Sequence, residues 1–421
     1  MLDRTPYRPL DAGTLAERLG SRPDLTLRLG EPEGWRVREV GDGNLNLVFI
    51  VEGEEESVVV KQALPYARVV GESWPMTLDR SYYEYHALTR LGARDPDRLP
   101  EVFAFDEVQA LVVMEHLSPH VIARKALIAG EKMPHMGRHL GLYLARTLFR
   151  GSDLAMDTAR RKADLALFAG NGELCGITED LVFTDPFMIS ERNRHTPGLE
   201  ADAAAVRADR DLKLAAHELK LIFATRAESL LHGDLHTGSV MVTRDDTRVI
   251  DAEFAVYGPM GFDVGMLLGN LWLSAFAQAG LGECPQARAP YAAWILETAQ
   301  SVWQVFMQEF SLLWRTERTG MLGGRGLFEE QGDEMASELA LARRLTAVWQ
   351  DALGFAGLEM HRRILGLAHI AEFEQIADEA VRAACERRAL RLGRELMLHR
   401  ADGLTMAQVN GMAMLLAGGR P

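Results

Sequence analysis

The chain has 421 residues, of which 48% are hydrophobic and 25% charged, and its formal net charge is −14. A chain of this length exceeds what one hydrophobic core usually organises, so two packed parts are expected; the ordinary globular composition excludes a disordered chain. The acidic balance argues against nucleic acid or an anionic membrane as a partner, because both favour a basic protein face.

The cysteines and the N-terminal residues bear on the cellular compartment. Cys175, Cys284 and Cys385 are far apart and lack metal-ligand spacing, as is typical of buried thiols in a reducing environment. The first residues contain no apolar signal-peptide core. We also expect no stretch of the chain to be long and apolar enough to span a bilayer. We therefore expect a cytoplasmic protein without a membrane partner.

The first quarter of the chain is rich in predicted strands. Alternating apolar residues and turn signals predict strands over residues 35–40, 45–51, 57–62, 100–105 and 110–114. Gly41 and Gly43 lie in a turn that could admit phosphate oxygens to backbone amides, and Lys61 ends a run of three valines. The alternative is a plain hairpin with a solvated lysine, since an isolated Gly-x-Gly is a weak signal.

The next helix supplies a candidate partner for Lys61. Residues 79–91 have helical spacing that places Glu84 on the same face as Leu88 and Leu91. A lysine on a strand paired with a glutamate on a helix is the arrangement of kinases. An exposed helix glutamate remains an equal alternative.

The strand that ends at Met114 runs into an open segment broken by Ser118 and Pro119. We predict an N-terminal lobe over residues 1–114, a hinge over 115–118 and a mainly helical lobe over 119–421. Free backbone groups of Glu115 and Leu117, on either side of His116, could bind adenine there. A simple exit from strand to loop is the alternative.

Helical patterns dominate the remainder, with predicted helices over residues 140–149, 211–229 and 291–314. Two pairs of adjacent arginines follow, at 343–344 and 362–363. A helix directs only one of two adjacent residues at a given face, so we expect one arginine of each pair to be solvated.

The segment from Leu230 to Ser239, which contains the motif His-Gly-Asp-Leu-His, is the candidate catalytic loop. Asp234 precedes a short strand over 240–242, and Asp251 and Glu253 follow a second strand over 248–250. Clustered carboxylates are costly unless a cation or a phosphate-bound metal lies among them. His232 is expected to pack rather than react, and Asp263 to brace the backbone of the loop.

The order of these parts resembles a protein-kinase-like fold of the α+β class, with an N-terminal antiparallel sheet and helix and a larger, mainly helical C-terminal lobe. It is similar to the small-molecule branch that includes choline kinases and aminoglycoside phosphotransferases. Six ordered blocks narrow the resemblance to the 5-methylthioribose kinase family: residues 42–46, 60–63, 71–77, 232–239, 257–263 and 354–363. Ser239 stands where most of the superfamily has a metal-binding Asn. Ala252 stands where many family members have Pro.

The resemblance implies ATP-dependent phosphorylation of the 1-hydroxyl of 5-methylthioribose, with Mg²⁺, in methionine salvage. It implies that Asp234 is the catalytic base and that Asp251 and Glu253 hold the metal. The implied nucleotide contacts are Gly43, Asn44, Lys61, Glu84, Glu115, His116, Leu117, Asp251, Ala252 and Glu253. Arg362 and Arg363 are implied to approach the sugar together with Asp234.

The family also suggests a homodimer. A kinase of the same fold for another small alcohol, such as choline, homoserine or an aminoglycoside, is one alternative, and a catalytically inactive nucleotide-binding protein is another.

Overall fold

The computed structural model describes residues 6–41, 45–67, 71–284, 286–322 and 324–418. The chain forms two compact units. The first comprises residues 1–119 and 249–254, and the second comprises residues 120–248 and 255–421. The first unit is built on an antiparallel sheet and the second is mainly helical, as expected of the predicted α+β fold.

The sheet of the first unit has five strands in the order β1-β2-β3-β7-β6, and all neighbours pair antiparallel. All five strands were predicted. A separate two-stranded ribbon, β4 with β5, was not predicted, because its strands are short and lack alternation. The strands are β1 (Arg36–Glu39), β2 (Asn46–Glu52), β3 (Ser57–Ala63), β4 (Tyr66–Ala67), β5 (Gly71–Pro75), β6 (Val102–Asp106) and β7 (Leu111–Glu115).

Among the described residues of this unit, three helices accompany the sheet: α1 (Ala12–Gly20), α2 (Pro23–Leu29) and α3 (Arg80–Arg94). Asp11 begins α1 with a capping box, in which its side chain accepts from the backbone N–H of Thr14. Helix α2 was not predicted, although Pro23 at its first position is a common start signal. Buried leucines of α1 and α2 pack with valines of β2, β3 and β7 in one core.

The second unit contains short strands among many helices. Strands β8 (Val121–Ile122), β10 (Val240–Val242) and β11 (Thr247–Val249) form one small sheet, and β9 (Ser229–Leu230) pairs with β12 (Tyr257–Gly258). The helices are α4 (Ala123–Ala129), α5 (Met136–Arg150), α6 (Thr158–Phe168), α7 (Gly172–Leu181), α8 (Glu200–Ala208), α9 (Arg210–Thr225), α10 (Gly261–Leu281), α11 (Ala289–Thr316), α12 (Glu334–Leu365), α13 (Ala371–Glu374), α14 (Glu379–Leu398) and α15 (Met406–Gly418).

One predicted boundary was wrong. The helix expected over residues 211–229 ends at Thr225, because Ser229 and Leu230 leave it to form β9. The hydroxyl of Ser229 donates to the backbone oxygen of Leu148 on α5, so this strand is held against the helical core. That strand leads directly into the candidate catalytic loop.

Helices α10 and α12 pack at unusually short range. A Cβ atom added to Gly265 of α10 would lie 2.5 Å from the backbone oxygen of Ala352 on α12. A Cβ atom added to Gly261 or to Gly269, one turn away on either side, would lie 2.6 Å or 3.0 Å from the nearest atom of α12. Small residues allow two helix backbones to approach, because the interaxial distance depends on the side chains at the contact. Gly261, Gly265 and Gly269 form a glycine stripe on α10, and this stripe fixes where the C-terminal half of α12 lies.

Helix α10 corrects the expectation that no stretch could span a bilayer. Gly261–Leu281 meets that test by length and hydropathy, but 83% of its apolar window is buried within the protein. The helix packs against α11, α12 and α14. A helix that is hydrophobic all round is a core helix when other helices surround it.

Candidate active site

The predicted site residues form two groups, each within one compact unit. In the first unit, Lys61 on β3 lies against Glu84 on α3, with 2.8 Å between Nζ and Oε1. Lys61 also donates to the carboxylate of Asp251, which follows β11. Glu84 is 2% exposed, so the alternative of a solvated helix glutamate is wrong.

The electrostatics of this group follow from burial and charge. Burial alone would lower the pKa of Lys61, but the carboxylates of Asp251 and Glu84 outweigh it and raise that pKa. Burial raises the pKa of Glu84, and the neighbouring Asp251 adds to the effect. Lys61 therefore keeps its positive charge between the side chains of Glu84 and Asp251.

Glu253 is held by two residues that the sequence did not single out as site residues. Its Oε2 accepts from Nδ2 of Asn46 at 3.0 Å and lies 3.5 Å from Nε of Arg80. Arg80 is completely buried and also donates to Oδ1 of Asn46. Its remaining donors bind backbone oxygens of Leu45, Leu64 and Thr77. Asn46 lies in the motif block 42–46, whereas no sequence signal marked Arg80.

Three carboxylates of this unit could share a cation. Oxygens of Glu84, Asp251 and Glu253 lie within 4.8 Å of one another, the one such group found among the described residues. Asp251 has φ +71°, an uncommon left-handed conformation that Asp tolerates better than most residues. Ala252, a predicted nucleotide contact, is fully buried and exposes no surface to solvent.

The segment predicted as a hinge differs from the expectation in the backbone of Glu115. The backbone N–H of Glu115 is not free, because it donates to the backbone oxygen of Glu101 at 2.8 Å. His116 lies beside Ser57, with 2.8 Å between Nδ1 and Oγ. Burial lowers the pKa of His116. Leu117 is buried. Gly43 and Asn44, the predicted phosphate-covering residues, lie outside the described part of the chain.

In the second unit, Asp263 at the start of α10 holds the candidate catalytic loop. Its carboxylate accepts from the backbone N–H groups of His232 and Gly233, at 2.7 and 3.1 Å. Burial raises the pKa of Asp263, and these bonds oppose the rise. Nδ1 of His232 accepts from the backbone N–H of Asp234. Asp263 thus has the loop-bracing geometry that was expected of it, and His232 is buried and hydrogen-bonded, as expected.

Asp234 lies among cationic and polar side chains. Its Oδ1 accepts from Nη1 of Arg362 at 3.0 Å and lies 3.6 Å from Nη2 of Arg363. Its Oδ2 lies 3.4 Å from Nε2 of His236. Burial would raise the pKa of Asp234, but Arg362, His236 and Arg363 hold it well below its usual range. Asp234 is therefore ionised.

His236 is a further contact of Asp234 that was not assigned a role. Its Nδ1 accepts from the backbone N–H of Gly238 at 3.0 Å, so the ring proton lies on Nε2, towards Asp234. Burial lowers the pKa of His236 to about 4, so the ring is neutral at pH 7. The hydroxyl of Ser239 donates to the backbone oxygen of Asp234. The second histidine of the His-Gly-Asp-Leu-His motif is the sequence signal from which this contact with Asp234 could have been predicted.

The expectation that one arginine of each adjacent pair is solvated is wrong for the pair Arg362 and Arg363. Arg343 is exposed and Arg344 half-buried, as expected, and Arg344 binds Glu228. Arg362 and Arg363 are both buried, at 8% and 5% exposed, and both contact Glu359. Residues 351–365 of α12 are all buried, so this part of the helix has no solvated face to receive one of them.

Comparison with known proteins identifies close relatives. Residues 36–294, more than half of the chain, match the phosphotransferase enzyme family. Methylthioribose kinase 1 of Oryza sativa subsp. japonica is 45% identical over 406 residues, which is 96% of this chain and 94% of that protein. The methylthioribose kinase of Escherichia coli O45:K1 is 44% identical over 404 residues, covering 95% and 96% of the two chains. That of Geobacillus kaustophilus is 44% identical over 400 residues, covering 94% and 93%.

Proposed function

The chain belongs to the methylthioribose kinase family, and we propose on that premise that it transfers the γ-phosphoryl group of ATP to the 1-hydroxyl of 5-methylthioribose. A bond forms between the sugar oxygen and γ-phosphorus, the bond from γ-phosphorus to the β,γ-bridging oxygen breaks, and ADP leaves. The products are 5-methylthioribose 1-phosphate, ADP and a proton, in a step of methionine salvage.

Asp234 is the residue proposed to orient the acceptor hydroxyl and to take its proton. A phosphoryl transfer with a loose transition state asks mainly for positioning, so the low pKa of Asp234 is compatible with a late proton transfer. A carboxylate offers about four lone-pair sites. Arg362 and His236 contact Asp234 without occupying all of them.

The observation that carries this proposal is the pair of buried arginines beside Asp234. Guanidinium groups suit sugar hydroxyls and phosphoryl oxygens, because they present several donors in a fixed plane. Negative charge that develops on the transferring group would be stabilised by cations already in place. The same two charges disfavour a cationic acceptor, such as choline or an aminoglycoside.

The first unit is proposed to hold the nucleotide. Lys61, oriented by Glu84, would bind phosphate oxygens of ATP. Hard carboxylate oxygens suit Mg²⁺, so Asp251 and Glu253 fit as its ligands, and Asn46 and Arg80 would fix the orientation of Glu253. When bound, the ion supplies charge neutralisation at the phosphates.

We also infer a cytoplasmic homodimer. Three free cysteines support the compartment. The family resemblance is the support for the dimer, and light scattering after gel filtration would test it.

The test is an ATP-coupled assay with purified protein and four acceptors: 5-methylthioribose, choline, homoserine and an aminoglycoside. Methylthioribose should be the preferred acceptor by kcat/KM. Asp234→Asn should lower kcat at least about 100-fold with little change in the KM for ATP.

The matched control for that variant is Asp245→Asn, in the turn after β10, where the side chain is 79% exposed. It should leave kinetics unchanged. Preference for another acceptor, or retained kcat in Asp234→Asn, would contradict the proposal.

A further inference from the structure

Glu359, one helical turn before the arginine pair, is a fully buried carboxylate that contacts both arginines. Its Oε1 accepts from Nε of Arg363 at 2.5 Å, and its Oε2 from Nη1 of Arg362 at 3.2 Å. Nδ2 of Asn270 on α10 donates to Oε1 at 2.8 Å. Glu359, Arg362 and Arg363 lie on neighbouring positions of α12, because the arginines follow the glutamate by three and four residues.

The same arginines are shared with Asp234. Nη1 of Arg362 lies 3.0 Å from Oδ1 of Asp234 and 3.2 Å from Oε2 of Glu359, so this NH2 group bridges the two carboxylates. Arg363 donates its Nε to Glu359, and its Nη2 remains 3.6 Å from Asp234. Glu359 therefore competes with Asp234 for both guanidinium groups.

Asn270 extends this arrangement towards the catalytic loop. Its Oδ1 accepts from Nη2 of Arg124 on α4 at 3.1 Å. Arg124 in turn donates Nε to the hydroxyl of Thr237 and lies 3.1 Å from the buried carboxylate of Glu372. The short distance between α10 and α12 at the glycine stripe brings Asn270 within reach of Glu359. The carboxylate is thus fixed from three directions.

We propose that Glu359 is a positioning residue that draws the two arginines partly away from Asp234, so that an oxygen of Asp234 stays available to the acceptor hydroxyl. Without this second carboxylate, Asp234 would be the one carboxylate within 4 Å of the two buried arginines among the described residues. Both would close on it and occupy the lone pairs that the substrate needs. The inference rests on the proposed function, because it assigns Asp234 to the acceptor.

The charges around Glu359 agree with this role. Burial alone would raise the pKa of Glu359, but Arg363 and Arg362 lower it. The group is therefore ionised beside its two partners. A glutamine at this position would retain the packing and remove the negative charge that attracts the arginines.

The test is steady-state kinetics of Glu359→Gln with both substrates varied. We expect kcat with methylthioribose to fall roughly 10- to 100-fold, the loss that follows from one misplaced charge-assisted hydrogen bond. The KM for ATP should stay within twofold. The control is Glu338→Gln on the same helix, an exposed glutamate paired with Arg315, which should change neither constant.

A double-mutant cycle separates positioning from a general structural role. If Glu359 acts through Arg362, the double variant Glu359→Gln with Arg362→Lys should be no slower than Arg362→Lys alone, within about threefold. Additive losses, or a kcat for Glu359→Gln within twofold of the wild type, would overturn the inference. If Glu359→Gln does not fold, Glu359→Asp keeps the charge, shortens the reach and enters the same cycle. Failure of the wild type to use methylthioribose would instead overturn the proposed function.

Discussion

Replacing each arginine of the pair by lysine should have unequal effects, because the two guanidinium groups contact Asp234 differently. Arg362 makes a hydrogen bond of 3.0 Å to Oδ1, whereas Arg363 approaches the same atom at 3.6 Å without a hydrogen bond. A hydrogen bond to a charged group contributes about 1.5–3 kcal/mol. Arg362→Lys should therefore lower kcat/KM for methylthioribose roughly 10- to 150-fold.

Arg363→Lys should cost less, about tenfold or below, because Arg363 makes no hydrogen bond to Asp234 that the substitution could remove. The assay is phosphate transfer to methylthioribose under saturating ATP, with unfolding temperature measured in parallel. Arg343→Lys, an exposed arginine on the same helix, is the control and should behave as the wild type. A larger loss in Arg363→Lys than in Arg362→Lys, with unchanged folding, would refute the ranking from these contacts.

Three other outcomes are expected. Lys61→Met should lower kcat/KM for ATP about 100-fold, and an unchanged value would remove Lys61 from the nucleotide site. Gly265→Ala should destabilise the fold by about 1–3 kcal/mol in urea titrations, because the new methyl group meets α12. Gly176→Ala on α7, where the added Cβ meets nothing within 4 Å, should instead stabilise by up to about 1 kcal/mol. Burial lowers the pKa of His361 to about 4. The unfolded chain then binds a proton near pH 6.5 and the native state does not, so stability should fall as pH drops from about 6.5 towards 4. His361→Gln should show a smaller fall in the urea midpoint between pH 7 and 5.

The strands and the Lys61–Glu84 pair could be predicted because each follows from a local pattern. A lysine after three valines ends a buried strand, and a buried ammonium needs a carboxylate. Helical spacing then put Glu84 on the inner face of α3. The structure places both side chains in contact, within one hydrogen-bond length.

Arg80 and the burial of both Arg362 and Arg363 could not be predicted, for a common physical reason. Periodicity assumes that each helix has one solvated face, and α12 has none from residue 351 to 365. Arg80 stands at the start of α3, where a charged residue is normally exposed, yet every donor of its guanidinium finds a partner inside the unit. Such burial depends on contacts between segments distant in sequence.

The central claim is that this protein phosphorylates methylthioribose on its 1-hydroxyl, with Asp234 as the base. The most direct measurement is ³¹P NMR of the product formed from ATP, Mg²⁺ and 5-methylthioribose, by the wild type and by Asp234→Asn. We predict one new phosphate signal that couples to the anomeric proton, formed by the wild type and absent with Asp234→Asn. A phosphate on another hydroxyl, or no transfer by the wild type, would contradict the account.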